Sequence, residues 1–576
     1  MHKKLRRQTY IALAVTFMSI SMAGCSSTKK NENIIPTETV TPSQDNEVIE
    51  QAEDMKFDGT LITLSDERIL VDGKEISKDR SGAVHTGADM IYYESGKDDT
   101  YGAGSEKDGH TEEEACKHTV ITITKPGTYK VTGTISAGQI VVDLGEDAKK
   151  DPEAVVNLVL EDADITCSVA PAILVLNAYE CGNKDTETAT KEVSTTNAGF
   201  NLILADDSNN VLNGSYVAKI YKEGTTEKKY KFDAAVESKI SLNINGESKG
   251  NGKLTVNADN EGIESGLHMT INGGEITINS CDDAINTNED GVSVLTINGG
   301  TIICDSGNGS EGDGIDSNGF IVQNGGFVIA SANAQSPDSG VDSDLGIYLN
   351  GGTLLASGNM YDEISNESKQ NFMVLSFNQK VTEDKIVLIK DANGNPVQAF
   401  QAVNDFTMLV FSSGDLVEGD YTMYLVSEVT GDKNGSIYTN ITDYKDAVQL
   451  QYTSSMIRGM FGGMGEGNRP NMEPPEALEK PAEGEQSDAT WQDGTKKPDG
   501  TLPDRMKMPD GEPPEKPADG TLPELPEGME PLVDGNGPLN KGEKFDDGMI
   551  TGEASTVFHY SKDTNSFSGI STVDKE

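Results

Sequence analysis

Basic residues are scarce in this chain: Lys and Arg number 46 against 95 Asp and Glu, for a net charge of -49. A surface of that sign repels phosphate backbones and anionic headgroups, so nucleic acid is excluded as a partner, and it attracts cations. Aromatics are few as well, 6% of residues with the single Trp491, which leaves little ring surface for a sugar-stacking platform. Hydrophobic residues make up only 35% of the 576. That is low for a chain packed throughout, so part of it is expected to lack a core. No Cys-x-x-Cys pair occurs, which removes the usual signature of a structural zinc site.

The little positive charge there is includes a cluster at the start. Residues 1–24 read as a lipoprotein signal peptide, with Lys3, Lys4, Arg6 and Arg7 ahead of an apolar run from Ile11 to Met22 that is too short to span a bilayer. Met22-Ala23-Gly24-Cys25 resembles the bacterial lipobox, which implies cleavage before Cys25 and a lipid on its sulfur. The chain is then expected to be exported and lipid-anchored at Cys25 to the outer face of the bacterial cell membrane, on the cell surface. Residues 25–55 are polar and read as a flexible tether. The other cysteines are Cys116, Cys167, Cys181, Cys281 and Cys304, an odd set that leaves at least one free thiol.

What is abundant is repetition. Asn-Gly-Gly begins at Asn272, Asn298, Asn324 and Asn350, each 26 residues after the last. Apolar columns keep the same step: Met269, Leu295, Ile321 and Ile347; Ile276, Ile302, Val328 and Leu354; Ile278, Cys304, Ala330 and Ala356. A fourth column, Ile263, Ile285, Ile315 and Val341, has uneven spacing and so includes a turn of variable length. Within a repeat the apolar residues alternate, which means strands, and Asn-Gly-Gly supplies turns because both residue types tolerate positive φ. Strands of this kind find partners one period later. The expectation is an all-β chain dominated by a parallel β-helix, a solenoid over 116–368 of roughly nine coils and about 43 Å. Residues 56–115 read as N-terminal cap strands and 369–452 as a small antiparallel β-domain. Residues 453–555 read as a disordered Pro/Gly/Glu-rich tail and 556–576 as a C-terminal strand segment. Cys304 is expected to be a buried core thiol, and Gln323 stands in an otherwise apolar column.

The acids keep register too. Glu261, Asp283, Asp313 and Ser339 share one position, Glu264, Asn286, Asp316 and Asp342 a second, and Asp344 falls in a third; Asp259 and Asp282 flank them. Stacked like charges repel, and between Leu254 and Ser368 there are 18 Asp and Glu but no Lys or Arg. A hard divalent cation is the natural partner. Asp259, Glu261, Glu264, Asp282, Asp283, Asn286, Asp313, Asp316, Asp342 and Asp344 are therefore candidate Ca²⁺ ligands, offering carboxylate and amide oxygens. The spacing is not that of an EF-hand.

The succession TVITITKPGTYKVTGTISAGQIVVD, NLVLEDADIT, LILADDSNNVLNG and DAAVESKISLNINGESKGNGKLTVNADNEGIES, followed by the Asn-Gly-Gly repeats and an NSFSGI ending, resembles a family of exported bacterial carbohydrate-binding proteins related in fold to pectate lyases. The likeness covers about 60–450. It implies a right-handed parallel β-helix, bound calcium, binding to plant cell-wall polysaccharide such as cellulose or pectin, and no catalytic residues. Gly262-Ile263, Gly314-Ile315 and Gly340-Val341 match the family's turns, whereas Asp283-Ala284-Ile285 departs from them. The reading is a monomeric cell-surface lipoprotein that binds polysaccharide, acidic or plant cell-wall in type, through a calcium-bearing face. Alternatives are a pectate-lyase-like or polygalacturonase-like enzyme, and a structural adhesin without a glycan ligand. The lyase needs a basic residue beside calcium, and only Lys249 and Lys253 border the repeats. The hydrolase would use Asp282 and Asp283, but the repeats hold neither the His-Gly-His nor the Arg-x-Lys of that chemistry. His268 is the one His of the repeats and is expected to be incidental.

Overall fold

The computed structural model describes residues 57–87, 89–94, 109–221, 228–455 and 554–573. The signal peptide, Cys25, the tether and nearly all of the 453–555 tail lie outside the described residues. The described elements belong to the unit Asp58–Glu576 and are almost entirely β. The strands form one mixed 27-stranded sheet, one eight-stranded sheet and one two-stranded hairpin. Among the described residues the only α-helix is Glu112–Ala115, where Thr111 and Glu114 close a capping box.

The 26-residue step appears directly as strand pairing. Glu275–Asn279 runs parallel to Lys253–Ala258 before it and to Thr301–Asp305 after it, so that Ile276 faces Leu254 and Ile302, and Ile278 faces Val256 and Cys304. Phe327–Ser331 and Thr353–Gly358 continue that ladder in register. A second ladder stacks Leu242–Gly246, His268–Ile271, Val294–Ile297, Phe320–Gln323 and Gly346–Leu349, placing Met269, Leu295, Ile321 and Ile347 in line. These columns are buried throughout. Each Ile or Leu removed from water in this way contributes about 1.5–3 kcal/mol, which fixes the register, since a one-residue slip would turn every one of them outward.

The corners are built as the sequence predicts. The second glycine of each Asn-Gly-Gly has positive φ: 100° at Gly274, 90° at Gly300, 78° at Gly326 and 87° at Gly352. The asparagines stack, each donating its side-chain N–H to the Oδ1 of the one before it: Asn298 to Asn272, Asn324 to Asn298 and Asn350 to Asn324. Gln323 is a satisfied buried amide, donating through Nε2 to the carbonyls of Gly325 and Thr353. Cys304 is buried in its column, and all five described cysteines are free.

At the amino end, Thr60–Leu64 pairs in parallel with Gly127–Ile135. At the carboxyl end, Phe406–Ser413 lies antiparallel to Thr353–Gly358 and to Phe372–Val381. Ser566–Thr572 runs parallel to Phe372–Val381 and antiparallel to Val448–Gln451. There Phe558 and Phe567 pack their rings on Tyr452 at 4.8 and 5.0 Å.

Candidate functional site

The eight-stranded sheet carries the acids. Its strands alternate faces. Val236, Ile263 and Ile285 point into the core and are no more than 1% exposed, while their neighbours Glu237, Glu264 and Asn286 take the other face. Register sets Leu174, Glu237, Glu264, Asn286 and Asp316 opposite one another, strand after strand. At about 4.8 Å per strand, neighbouring carboxylates cannot all stay ionised unless a cation or a proton intervenes.

Two clusters result. In the first, the carboxylate oxygens of Asp233, Glu261 and Glu264 all lie within 4.8 Å of one another, and all three residues are buried. Glu237 joins them, accepting from the backbone N–H groups of Asp233 and Ala234. Lys239 Nζ lies 2.5 Å from Glu237 and 3.6 Å from Glu264, and Lys231 pairs with Asp233. Asn286 and Asn288 donate amide hydrogens to Glu261 and Glu264. Four buried oxygens still have no hydrogen-bond partner, Glu237 Oε1, Glu261 Oε2, Glu264 Oε2 and Asn286 Oδ1, and of these Glu237 Oε1 is ion-paired with Lys239. Burial pushes Glu237 up to about 8, with Glu264 adding to the effect. Burial, then Glu264 and Asp283, pushes Glu261 well above the usual carboxylate range.

In the second cluster, the carboxylate oxygens of Asp313, Asp316 and Asp342 likewise lie within 4.8 Å of one another. Asp313 accepts from the Ser339 N–H at 2.6 Å, and its own N–H donates to Asp283 at 2.7 Å. Asp362 sits beside Asp342, with a buried Oδ2 that has no hydrogen-bond partner. Burial, reinforced by Asp342, pushes Asp316 and Asp362 up to about 7. Burial, then Asp283 and Asp342, pushes Asp313 well above its ordinary value. Among the described residues no Lys or Arg pairs with any of these four aspartates.

Of the residues singled out from the sequence, the fold brings Glu261 and Glu264 into one cluster and Asp313, Asp316 and Asp342 into the other. Asn286 and Asp283 are hydrogen-bonded to the first and second cluster respectively. Asp282 lies half-buried near Glu311, pushed up by burial and then by that charge. Asp259 and Asp344 are exposed and belong to neither cluster. His268 is buried, and its Nδ1 accepts from the Val294 N–H, a structural role. Lys249 and Lys253 pair with Asp207 and Glu275, away from both clusters.

Asp233, Glu237, Asp362 and the lysines Lys231 and Lys239 escaped sequence reasoning. The signal for Glu237 was present: Val236-Glu237-Ser238 has the pattern of Ile263-Glu264-Ser265. The antiparallel hairpin pairing Val217 with Phe232 precedes it and breaks the period. The acids were also expected along one calcium-bearing face. At the first cluster the structure places them under cover instead, with Glu237 and Glu264 at 0% and 1% exposure.

The donor set suits calcium. Every unpartnered group is a hard oxygen, carboxylate or amide, and a buried acceptor oxygen with no donor is the kind a hard cation satisfies.

A curated relative from Acetivibrio thermocellus, described as a carbohydrate-binding domain-containing protein, is 35% identical over 159 residues, 27% of this chain and 44% of the relative. The chain therefore spans less than half the length of that relative. Among solved structures, a polysaccharide lyase-like protein from C. thermocellum is 21% identical and matches 51% of this chain and 93% of its own, at a TM-score of 0.29. Chitinase ChiW from Paenibacillus, a multi-modular cell-surface enzyme, matches 57% of this chain and 24% of its own at 11% identity and a TM-score of 0.09. Scores that low constrain neither fold nor activity. The family model described as carbohydrate-binding domain-containing protein matches residues 117–416, more than half of the chain, and this chain belongs to that family.

Proposed function

We infer that this chain is an exported surface protein that binds a polysaccharide of acidic, pectin-like type with the help of calcium. The parallel ladders are read as walls of one right-handed β-helix, and Cys25 as the lipid attachment that holds it at the membrane. The observation that carries the calcium reading is the cluster of Asp313, Asp316 and Asp342, with Asp362 beside it. Its carboxylates are half-buried and crowded, and among the described residues no basic residue is paired with them. These aspartates would hold one ion; Asp233, Glu261 and Glu264, with Asn286, would hold another. Bound calcium supplies a positive charge that carboxylates of a uronate polymer can share.

Lys231 and Lys239 are the basic groups seen next to such a cluster, as a lyase would require, and Lys239 is the one that reaches two carboxylates, Glu237 and Glu264. Burial works against its charge, but Glu237 and Glu264 outweigh burial and hold the ammonium above its ordinary range. A base must be able to give up its proton near working pH, and Lys239 is held protonated, which favours binding over elimination. The test is a pull-down on polygalacturonate with calcium and with EDTA, with the ultraviolet absorbance of unsaturated uronate followed in parallel. Calcium-dependent retention without absorbance is the expected result. Retention indifferent to EDTA would remove calcium from the account, and rising absorbance would restore the lyase.

A further inference from the structure

The last described segment of the chain, 554–573, is built into the core of the carboxyl-end β-domain. Ser566–Thr572 is held on both edges, parallel to Phe372–Val381 on one side and antiparallel to Val448–Gln451 on the other. Phe558–Tyr560 pairs antiparallel with Gly419–Val426. Phe558, Tyr560, Phe567 and Ile570 are no more than 3% exposed and share one apolar cluster with Leu375 and Leu450. Without the segment, Phe372–Val381 and Val448–Gln451 would each present an open edge above an apolar floor. A groove of that kind is a template for an added strand.

The segment is joined to the rest of the domain through residues 456–553, a connection far longer than the usual one of about 2–6 residues. The two ends of that connection meet. Tyr452 and Ser555 exchange backbone hydrogen bonds of 2.9 Å in both directions. The Ser568 N–H donates to the Ser454 carbonyl at 2.9 Å, and the Ser454 N–H donates back at 3.2 Å. All of these contacts are made by residues outside the connection, so each is the same whichever copy of the chain supplies the segment. In the closed form the chain must bring the two ends together, at an entropic cost that grows with the length between them. In an exchanged form association of two copies takes the place of that closure, and no contact is lost.

We propose that this groove accepts the 554–573 segment of a second copy of the chain, so that two chains trade their carboxyl-terminal strands and form a reciprocal dimer. The inference goes beyond polysaccharide binding and does not depend on it. The test places thiols at a pair in register, Gln451 and Ser571, both half-buried. Opposite residues of an antiparallel pair lie about 4.5–5.5 Å apart between Cα atoms, within reach of a disulfide. Full-length Gln451→Cys and Ser571→Cys, one of them isotope-labelled, are mixed, concentrated and oxidised, and the linked peptides are identified by mass, which separates them from any link through the five free cysteines. A link between labelled and unlabelled chains at the two introduced thiols is expected. It should rise with chain concentration and stand severalfold above the background given by Gln451→Cys with Asp563→Cys, an exposed position outside the paired strands. The double variant, oxidised while dilute, should close within one chain and no longer dimerise when concentrated. Mixed links at background level overturn the exchange, and a double variant that forms no link overturns the groove itself. If a single variant melts markedly lower than the native chain, unaltered light and heavy chains decide: mixed dimers in native mass spectrometry support the exchange, and their absence overturns it.

Discussion

Asp316 shows how one residue ties stability to function. Its carboxyl is pushed up to about 7 by burial and by Asp342, so ionising it in the metal-free protein is costly. Asparagine keeps the shape and removes the charge. In EDTA at pH 8, Asp316→Asn should therefore melt higher than the native chain, by an amount on the order of 1–3 kcal/mol, and it should lose most of the calcium-induced rise in melting temperature. Thermal melts with calcium and with EDTA check both halves. Destabilisation in EDTA, with the calcium response intact, would show that the residue is merely a hydrogen-bonding part of the fold. At the corners the constraint is steric. Gly300 has a φ of 90°, and a Cβ there would lie 2.8 Å from the Gly274 carbonyl oxygen. Gly300→Ala should cost about 1–3 kcal/mol in denaturant unfolding, whereas Gly394→Ala, also at positive φ but with open space around it, should cost less.

At the scale of elements, the asparagine ladder joins one repeat to the next. Asn298 donates to Asn272 and accepts from Asn324, so Asn298→Ala removes two links at once. About 1 kcal/mol is expected, because the ladder is exposed and water partly replaces what is lost. The ladders were legible in the sequence because like residues recur every 26 positions, and a parallel sheet turns equal spacing into vertical stacking. Met269, Leu295, Ile321 and Ile347 stand as that arithmetic requires. Where the period breaks, legibility ends. Glu237 is a full member of the acidic row, yet it follows the irregular hairpin of Val217–Tyr221 and Lys228–Phe232. Lys239, just past the end of the neighbouring strand Ala234–Ser238, reaches Glu264, so a window free of Lys and Arg along the chain was not free of them in space. Burial was also hidden. Alternation reports which face a residue takes, but not whether another segment covers that face, and Glu264 at 1% exposure is covered.

For the whole molecule, the acids make stability depend on pH in an unusual direction. Carboxylates such as Asp316, Asp362 and Glu237 have folded values raised above their unfolded ones. The folded state then binds more protons than the unfolded state between roughly pH 4 and 8, and metal-free stability falls as pH rises through that window. His268 opposes this weakly. Burial lowers its pKa, so its contribution is lost as pH falls through about 6.5. The net expectation is a metal-free melting temperature that declines from about pH 5 to pH 8 and is restored by millimolar calcium, since a ligand bound only by the folded state stabilises it. The central claim is that stacked repeats gather carboxylates into cation sites, and diffraction from crystals grown with calcium tests it most directly. The account predicts an anomalous peak enclosed by Asp313, Asp316 and Asp342, and a second at Asp233, Glu261 and Glu264. Saturating calcium that leaves both clusters without a peak, their oxygens bonded only to protons and water, would contradict it.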